Sequence, residues 1–249
     1  MSNKSEDLWI GLNNEGRRSL IQRDYGNGSL AERISGSGVS AAELCALDRR
    51  SPEAQEVWIP GVEVFKRVVH HQRQRGLFGE LARAEEGLLG SIGLWPKQWA
   101  TARMFSNTAK GFHIHPPNIP AGVTAAEWYQ QLFLREPMNC QLRRYDLEQW
   151  DVMFFVQGRL EMVLRDVRDG LPSRIMRFYI DGDNHPGPAN VGVVIPPGVA
   201  HGLRVEGSED ALMVYGTTTR FHPEFEGRIA SEVESAELPE SWRGFLNAK

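Results

Sequence analysis

The amino-acid sequence predicts an all-β sandwich or barrel, and three observations carry that prediction. From Trp99 onward the chain is a series of short runs rich in Val, Ile, Phe, Tyr and Met. Turn residues punctuate them at Gln157-Gly158, Asp169-Gly170, Pro196-Pro197-Gly198 and Glu206-Gly207-Ser208. Within one run, Leu160, Met162 and Leu164 alternate with Glu161, Val163 and Arg165, the period-two pattern of a strand. One face of that strand is expected in the core and the other against water or a ligand.

The elements follow in order. Residues 11–39 carry many Gly, Ser and Asn and favour loops over periodic structure. Ser40 then caps a short helix over residues 41–47, with Glu43 completing a capping box. Residues 1–56 form an arm whose apolar content is too thin for a core of its own. Residues 57–65 mix apolar and β-branched side chains around a turn. Phe78 to Leu89 has good helix propensity, in competition with a strand beginning at Phe78. Trp99 to Ser106 reads as a strand. Thr124 to Leu134 reads as a helix capped by Thr124, inside an insertion at residues 116–149. Further strands are expected at 151–156, 159–165, 174–180, 191–195, 203–206 and 211–217.

Composition excludes several classes. The chain has 249 residues, 41% of them hydrophobic and 24% charged, which suits a sizeable core and not general disorder. The net charge of −4 leaves no bulk basic footprint for nucleic acid. Two cysteines, Cys45 and Cys140, make neither a disulfide framework nor a four-thiolate zinc site and suit a reducing compartment. No apolar run approaches the ~20 residues of a membrane span. The start at Met1 to Asp7 lacks a signal-peptide pattern, so a cytoplasmic protein is expected.

Three stretches could carry chemistry. Lys110-Gly111-Phe112-His113-Ile114-His115 places two histidines two residues apart, so on a strand both imidazoles point to one face. Ile195 to Gly202 contains a Pro-x-Gly-x-x-His turn that lets His201 face inward at the start of a strand. Arg75-Gly76-Leu77-Phe78-Gly79-Glu80 steps from a cation into an aromatic and a carboxylate. Taken singly, each has a plainer reading. Arg75 and Glu80 can be a solvated surface pair, Tyr215 a core residue, and His70, His71, His185 and His222 surface histidines.

In their shared order these pieces resemble the two cupin motifs, and more narrowly the dTDP-4-dehydrorhamnose 3,5-epimerase (RmlC-like) branch. Besides the three stretches, Gly158 to Arg168 keeps the spacing from a turn glycine to an Asp-x-Arg, and Tyr215 and Glu226-Gly227-Arg228-Ile229 fall in order with the family's tail. The resemblance covers residues 57–115 and 150–242. It implies a cupin jelly-roll barrel (a double-stranded β-helix) over 57–242, with the arm before it, the helical insertion within it and a tail at 243–249. It also implies a homodimer and a nucleotide-sugar substrate.

The implied reaction removes protons next to the carbonyl of a 4-keto sugar and returns them on the opposite face. It needs a base and a donor for the oxyanion, and no metal or organic cofactor. His113 falls on the family's base. Lys110 replaces the motif arginine, keeping the charge without the bidentate fork. Arg75, Phe78 and Glu80 match residues that meet the nucleotide, His201 matches a substrate-side histidine, and Tyr215 matches a tyrosine lining the site. His115 is a further candidate in the cavity, and Arg168 joins Arg75 and Lys110 as a local cation for the nucleotide.

Three positions depart from the family. Asp151 stands where it has a lysine. Arg220 and Phe221 stand where it has a tyrosine pair, which would pass the acid role to Tyr215. Val233 stands where an Asp orients the base, with Glu232 one position earlier as the substitute.

Two other function classes compete with the epimerase or isomerase. His113, His115 and His201 could hold Fe, Mn, Ni or Zn in a metal-dependent cupin, a dioxygenase or isomerase, although the carboxylate expected after the second His is missing at Pro117 to Pro120. A tightly held transition metal would speak against the first reading. The departures at 151, 221 and 233 would equally suit a non-catalytic small-molecule-binding cupin.

Overall fold

The computed structural model describes residues 23–115, 122–123, 127, 149–168, 171–221 and 227–228. Its first elements are short because their signals are local. Helix α1 (Leu30–Ser35) starts at Ser29, which exchanges hydrogen bonds with Glu32 in a capping box. Strand β1 is Val39–Ser40. The predicted helix after Ser40 is present as α2 (Ala41–Ala46), with the Ser40–Glu43 box formed. Helix α3 (Pro52–Val57) combines a Ser51 cap with proline in the first turn.

Strands β2 (Glu63–Lys66), β3 (Val69–His71) and β4 (Leu77–Gly79) follow. Of the two readings open for Phe78–Leu89, the strand at Phe78 is the one that forms, and the long helix does not. Phe78 lies in β4, and helix α4 spans only Gly87–Ser91. Glu85 and Gly87 adopt positive φ of 64° and 61°, a conformation that stops a right-handed helix whatever the propensity around it.

The remaining strands are β5 (Gln98–Met104), β6 (Ala109–Ile114), β7 (Asp151–Gln157), β8 (Arg159–Asp166), β9 (Ile175–Asp181), β10 (Val191–Ile195), β11 (Val199–Glu206), β12 (Ala211–Thr217) and β13 (Gly227–Arg228). They do not close into a barrel. One open sheet has the order β1-β9-β8-β11-β6-β13, a second has β2-β10-β7-β12-β5, and β3 pairs with β4 apart from both. The expected all-β jelly-roll barrel is therefore corrected to two open sheets accompanied by short helices.

The reason lies in the connections. Gly158, Gly198 and Gly207 take φ of 83°, 76° and 76°, and the tight turns they make carry the chain from one sheet to the other. Strands adjacent in sequence thus pair mostly with others, and each ladder ends at an edge. Among the described residues all strand pairs are antiparallel except β1 with β9.

One apolar core fills the space between the sheets. Leu160, Met162, Leu164, Phe178 and Val205 come from the six-stranded sheet, and Met153, Phe155, Val191 and Val193 from the five-stranded one. Ile34, Val39, Ala41 and Leu44 of the N-terminal region belong to the same core. Helix α2 touches both β2 and β9, so this region covers the gap the open edges leave.

The polar face of β8 differs from expectation. Glu161 is 0% exposed, meeting neither bulk water nor a cavity, because Arg177 and Arg204 on the flanking strands fold over it and pair with both its oxygens. His185, expected at the surface, is buried with its Nε2 2.8 Å from Glu209 Oε2. No helix among the described residues is long and apolar enough to cross a membrane.

Candidate active site

The two histidine motifs meet because β6 and β11 are neighbours. His113 lies opposite His201, and Lys110 opposite Leu203, so β6 spends three residues where β11 spends two. This bulge sits at Gly111, whose φ is 131°. A Cβ there would stand 2.7 Å from the Cα of Gly202, so the close approach requires glycine on β6. The extra residue turns Lys110 to the same side as His113. The motifs are also tied at their ends, since the Gly198 N–H donates to the His115 carbonyl at 2.8 Å.

Lys110, His113, His115, His201 and Leu203 form one wall of a cavity of about 190 Å³. The opposite wall comes from the five-stranded sheet through Asp151 and Met153 of β7, Met213 and Tyr215 of β12, and Ala102 and Met104 of β5. The alternation of β7 and β12 sends these odd-numbered side chains inward.

At the closed end the two walls touch. Asp151 Oδ2 lies 3.1 Å from His115 Nε2 and 3.4 Å from His201 Nε2. Asp151 Oδ1 accepts from the Gln149 amide at 3.0 Å, and Gln149 Oε1 accepts from the Thr219 hydroxyl at 3.0 Å. His201 Nδ1 lies 3.2 Å from the Val199 carbonyl. Since a carbonyl only accepts, that nitrogen carries the proton, and the neutral ring then presents a lone pair at Nε2. The His113 ring stacks on His201 with centroids 5.9 Å apart, while His115 tilts against it at 5.5 Å.

Burial dominates the electrostatics. It lowers His201 to about 4, against the pull of the Asp151 carboxylate and with the help of His115 and His113. On Asp151 burial acts upward, but the charge and hydrogen bond of His115, then His201 and Gln149, outweigh it and hold the carboxyl at about 2. At neutral pH the site thus holds an ionised Asp151 beside a neutral His201.

Of the sequence candidates, Lys110, His113, His115, His201 and Tyr215 come together around this cavity. Phe78 and Glu80 do not. They line a separate cavity of about 450 Å³ with His70, Arg67 and Arg83, and Phe78 stacks on His70 at 6.3 Å. Arg75 lies in the exposed single-turn helix Arg73–Arg75. Arg168 is buried and turned to its own neighbourhood, with Nε and Nη2 each 2.7 Å from Asp166 and Nη2 2.8 Å from the Pro60 carbonyl. Glu232, Val233 and nearly all of the insertion at 116–149 lie outside the described residues.

Sequence reasoning noticed Asp151 only as a departure, yet it is the residue on which the site closes. Gln149 and Thr219 carried no signal at all. The side chains that could hold a metal ion also change. His115 and His201 group with Asp151, all three buried and with ligand atoms within 4.8 Å of one another, whereas His113 is not in the group.

No protein-family model matches the chain. The spore coat polysaccharide biosynthesis protein SpsL of Bacillus subtilis is 28% identical over 167 residues, which are 67% of this chain and 84% of SpsL. Among solved structures, NovW, a 4-keto-6-deoxy sugar epimerase from the novobiocin cluster of Streptomyces spheroides, superposes with a TM-score of 0.50 and 16% identity over 70% of this chain and 71% of NovW. ChmJ, a 3′-monoepimerase from Streptomyces bikiniensis solved with dTDP-quinovose, gives a TM-score of 0.50 and 20% identity over the same shares. In fold, the chain is similar to these two sugar epimerases.

Proposed function

We propose that the protein is a sugar-nucleotide epimerase or isomerase that moves protons next to the carbonyl of a 4-keto sugar. One observation carries the reading. An imidazole, His113, and a phenol, Tyr215, line a single cavity from opposite sheets. Inverting a carbon beside a ketone needs a base on one face of the sugar and an acid on the other, and this cavity offers that arrangement. The polysaccharide role named for SpsL and the epimerase activities named for NovW and ChmJ support the same substrate class.

In this reading His113 takes the proton from the carbon next to the ketone. The electron pair moves onto the carbonyl oxygen, and Tyr215 returns a proton from the other side. Lys110 supplies the positive charge that an enolate oxygen and a diphosphate both require. The cavity is smaller than the ~300–1,000 Å³ of ordinary small-molecule sites. It therefore takes the sugar ring, and the nucleotide lies outside it. A homodimer, in which the Phe78 segment reaches a neighbour's nucleotide, belongs to the same reading.

The test is incubation with a 4-keto-6-deoxy sugar nucleotide in deuterated water, followed by NMR. Deuterium entering at a carbon beside the ketone supports the proposal. Saturable binding without exchange would replace it with a binding protein.

A further inference from the structure

We propose that the site inverts one carbon of a 4-keto-6-deoxy sugar, carbon 5, and that Asp151 selects it by holding the hydroxyl on carbon 3. The inference rests on the epimerase reading and adds to it the orientation of the sugar.

The cavity is layered along its strands. Across β7 and β12, Asp151 lies opposite Thr217, and Met153 opposite Tyr215. On the other wall His113 lies opposite His201, and Lys110 opposite Leu203. Asp151 touches His115, so the two walls are in step at the closed end. One two-residue repeat outward, about 7 Å along a strand, is the level of Met153, Tyr215 and His113. The next level outward holds Lys110 and Leu203, where the diphosphate finds its positive charge.

A sugar nucleotide carries its nucleotide on carbon 1, and carbon 4 lies across the ring from it. With the nucleotide at the Lys110 end, the ketone edge goes in first. That edge has a hydroxyl on carbon 3 and a methyl on carbon 5, and the cavity treats them unequally. The Asp151 carboxylate is 3% exposed; its Oδ1 accepts from Gln149 at 3.0 Å and its Oδ2 from His115 at 3.1 Å. A carboxylate has about four lone-pair positions, so about two remain for a further donor. The carbon 3 hydroxyl is such a donor. The methyl is not, and placing it there would seal those positions from water without a partner. Met153, also buried, offers an apolar surface one level out. The ring therefore enters with carbon 3 at Asp151 and carbon 5 at Met153. That orientation puts carbon 5, and not carbon 3, between His113 and Tyr215.

The step balances without an oxidant or a cofactor. The bond from carbon 5 to its hydrogen breaks, the proton goes to His113, and the electron pair moves onto the carbonyl oxygen. As the pair returns, carbon 5 takes the Tyr215 phenol proton on the opposite face. His113 then gives a proton to water and the tyrosinate takes one back.

The test follows the two carbons separately. Full-length protein is incubated with dTDP-4-keto-6-deoxyglucose in deuterated water, and early deuterium at carbons 3 and 5 is measured by NMR. Entry at carbon 5 is expected to be roughly tenfold or more faster than at carbon 3, the worth of a hydrogen bond to a charged group. In Asp151→Ala, its folding checked by circular dichroism, the ratio is expected to fall to about threefold or less. For the wild type, the 3-deoxy form of the same sugar nucleotide is expected to raise KM roughly tenfold. Deuterium entering carbon 3 as fast as carbon 5 overturns the inference and leaves the epimerase reading standing. So does an unchanged ratio in folded Asp151→Ala, or an unchanged KM for the 3-deoxy sugar. No deuterium at either carbon removes the epimerase reading, and this inference with it.

Discussion

His113 and His201 sit directly opposite each other across β6 and β11, with their rings stacked 5.9 Å apart. Yet they play different parts. His201 is buried against Asp151, while His113 is the half-buried imidazole farther out in the same cavity. On the proposed reading, the pair separates the residue that meets a substrate carbon from the residue that supports the closed end.

That division predicts different defects from different substitutions. His113→Asn is expected to lower solvent-deuterium exchange about 10²–10⁴-fold, the usual worth of a positioned base. Tyr215→Phe is expected to leave exchange at the first face while abolishing the inverted product. NMR of the sugar ring resolves both. Exchange and inversion lost equally in Tyr215→Phe would remove it from the acid role.

Gly111→Ala is expected to destabilise the protein by about 2 kcal/mol or more and to lower activity in whatever protein folds. The new methyl would need a φ of 131° and would press on Gly202, and relief would undo the bulge that aims Lys110. Urea unfolding compared with the wild type measures the first effect, and the exchange assay the second. Wild-type values in both would show that the bulge is dispensable.

Ile34→Ala is expected to cost ~2–5 kcal/mol, the range for a buried aliphatic side chain cut to methyl. Ile34 is 0% exposed and packs in the core shared by both sheets. A merely appended arm would give a change within ~0.5 kcal/mol. Urea unfolding decides between the two.

Stability at high pH is expected to depend on Tyr179. Its O–H donates to the Ser37 carbonyl at 3.0 Å, and burial, then Glu161, pushes the phenol up to about 12. An ordinary phenol titrates near pH 10, so the unfolded chain loses this proton first. The contribution is therefore fully present below pH 10 and lost as pH rises toward about 12. The difference in Tm between wild type and Tyr179→Phe should shrink across that window.

Much of the fold was legible because strand and turn signals are local. Strands β7, β8, β9, β10 and β12 lie within a residue or two of their predicted limits, and the Ser40 helix follows from its own capping residues. Sheet membership was not legible. It depends on which turns cross between layers, and the glycine turns are alike in sequence whether or not they cross.

For the site, His-x-His and Pro-x-Gly-x-x-His mark the wall that one sheet supplies. Asp151 belongs to the other sheet and is 36 positions from His115, with no motif around it, so only the fold brings it in. The Asp-x-Arg at 166–168 did contain its own answer, because an arginine two residues from an aspartate can reach back to it, as Arg168 does.

The chemistry of this cavity is built across a seam. Its imidazoles hang from one layer and its carboxylate from the other, with Met153 and Leu203 standing beside them. The thickness of the packed layer is therefore also the gap between the reactive groups. A substitution that fattens or thins that layer would retune the site without touching any residue in it. The side chains that hold the sheets apart act as a gauge, and drift in the core becomes drift in the distance between the imidazoles and the carboxylate.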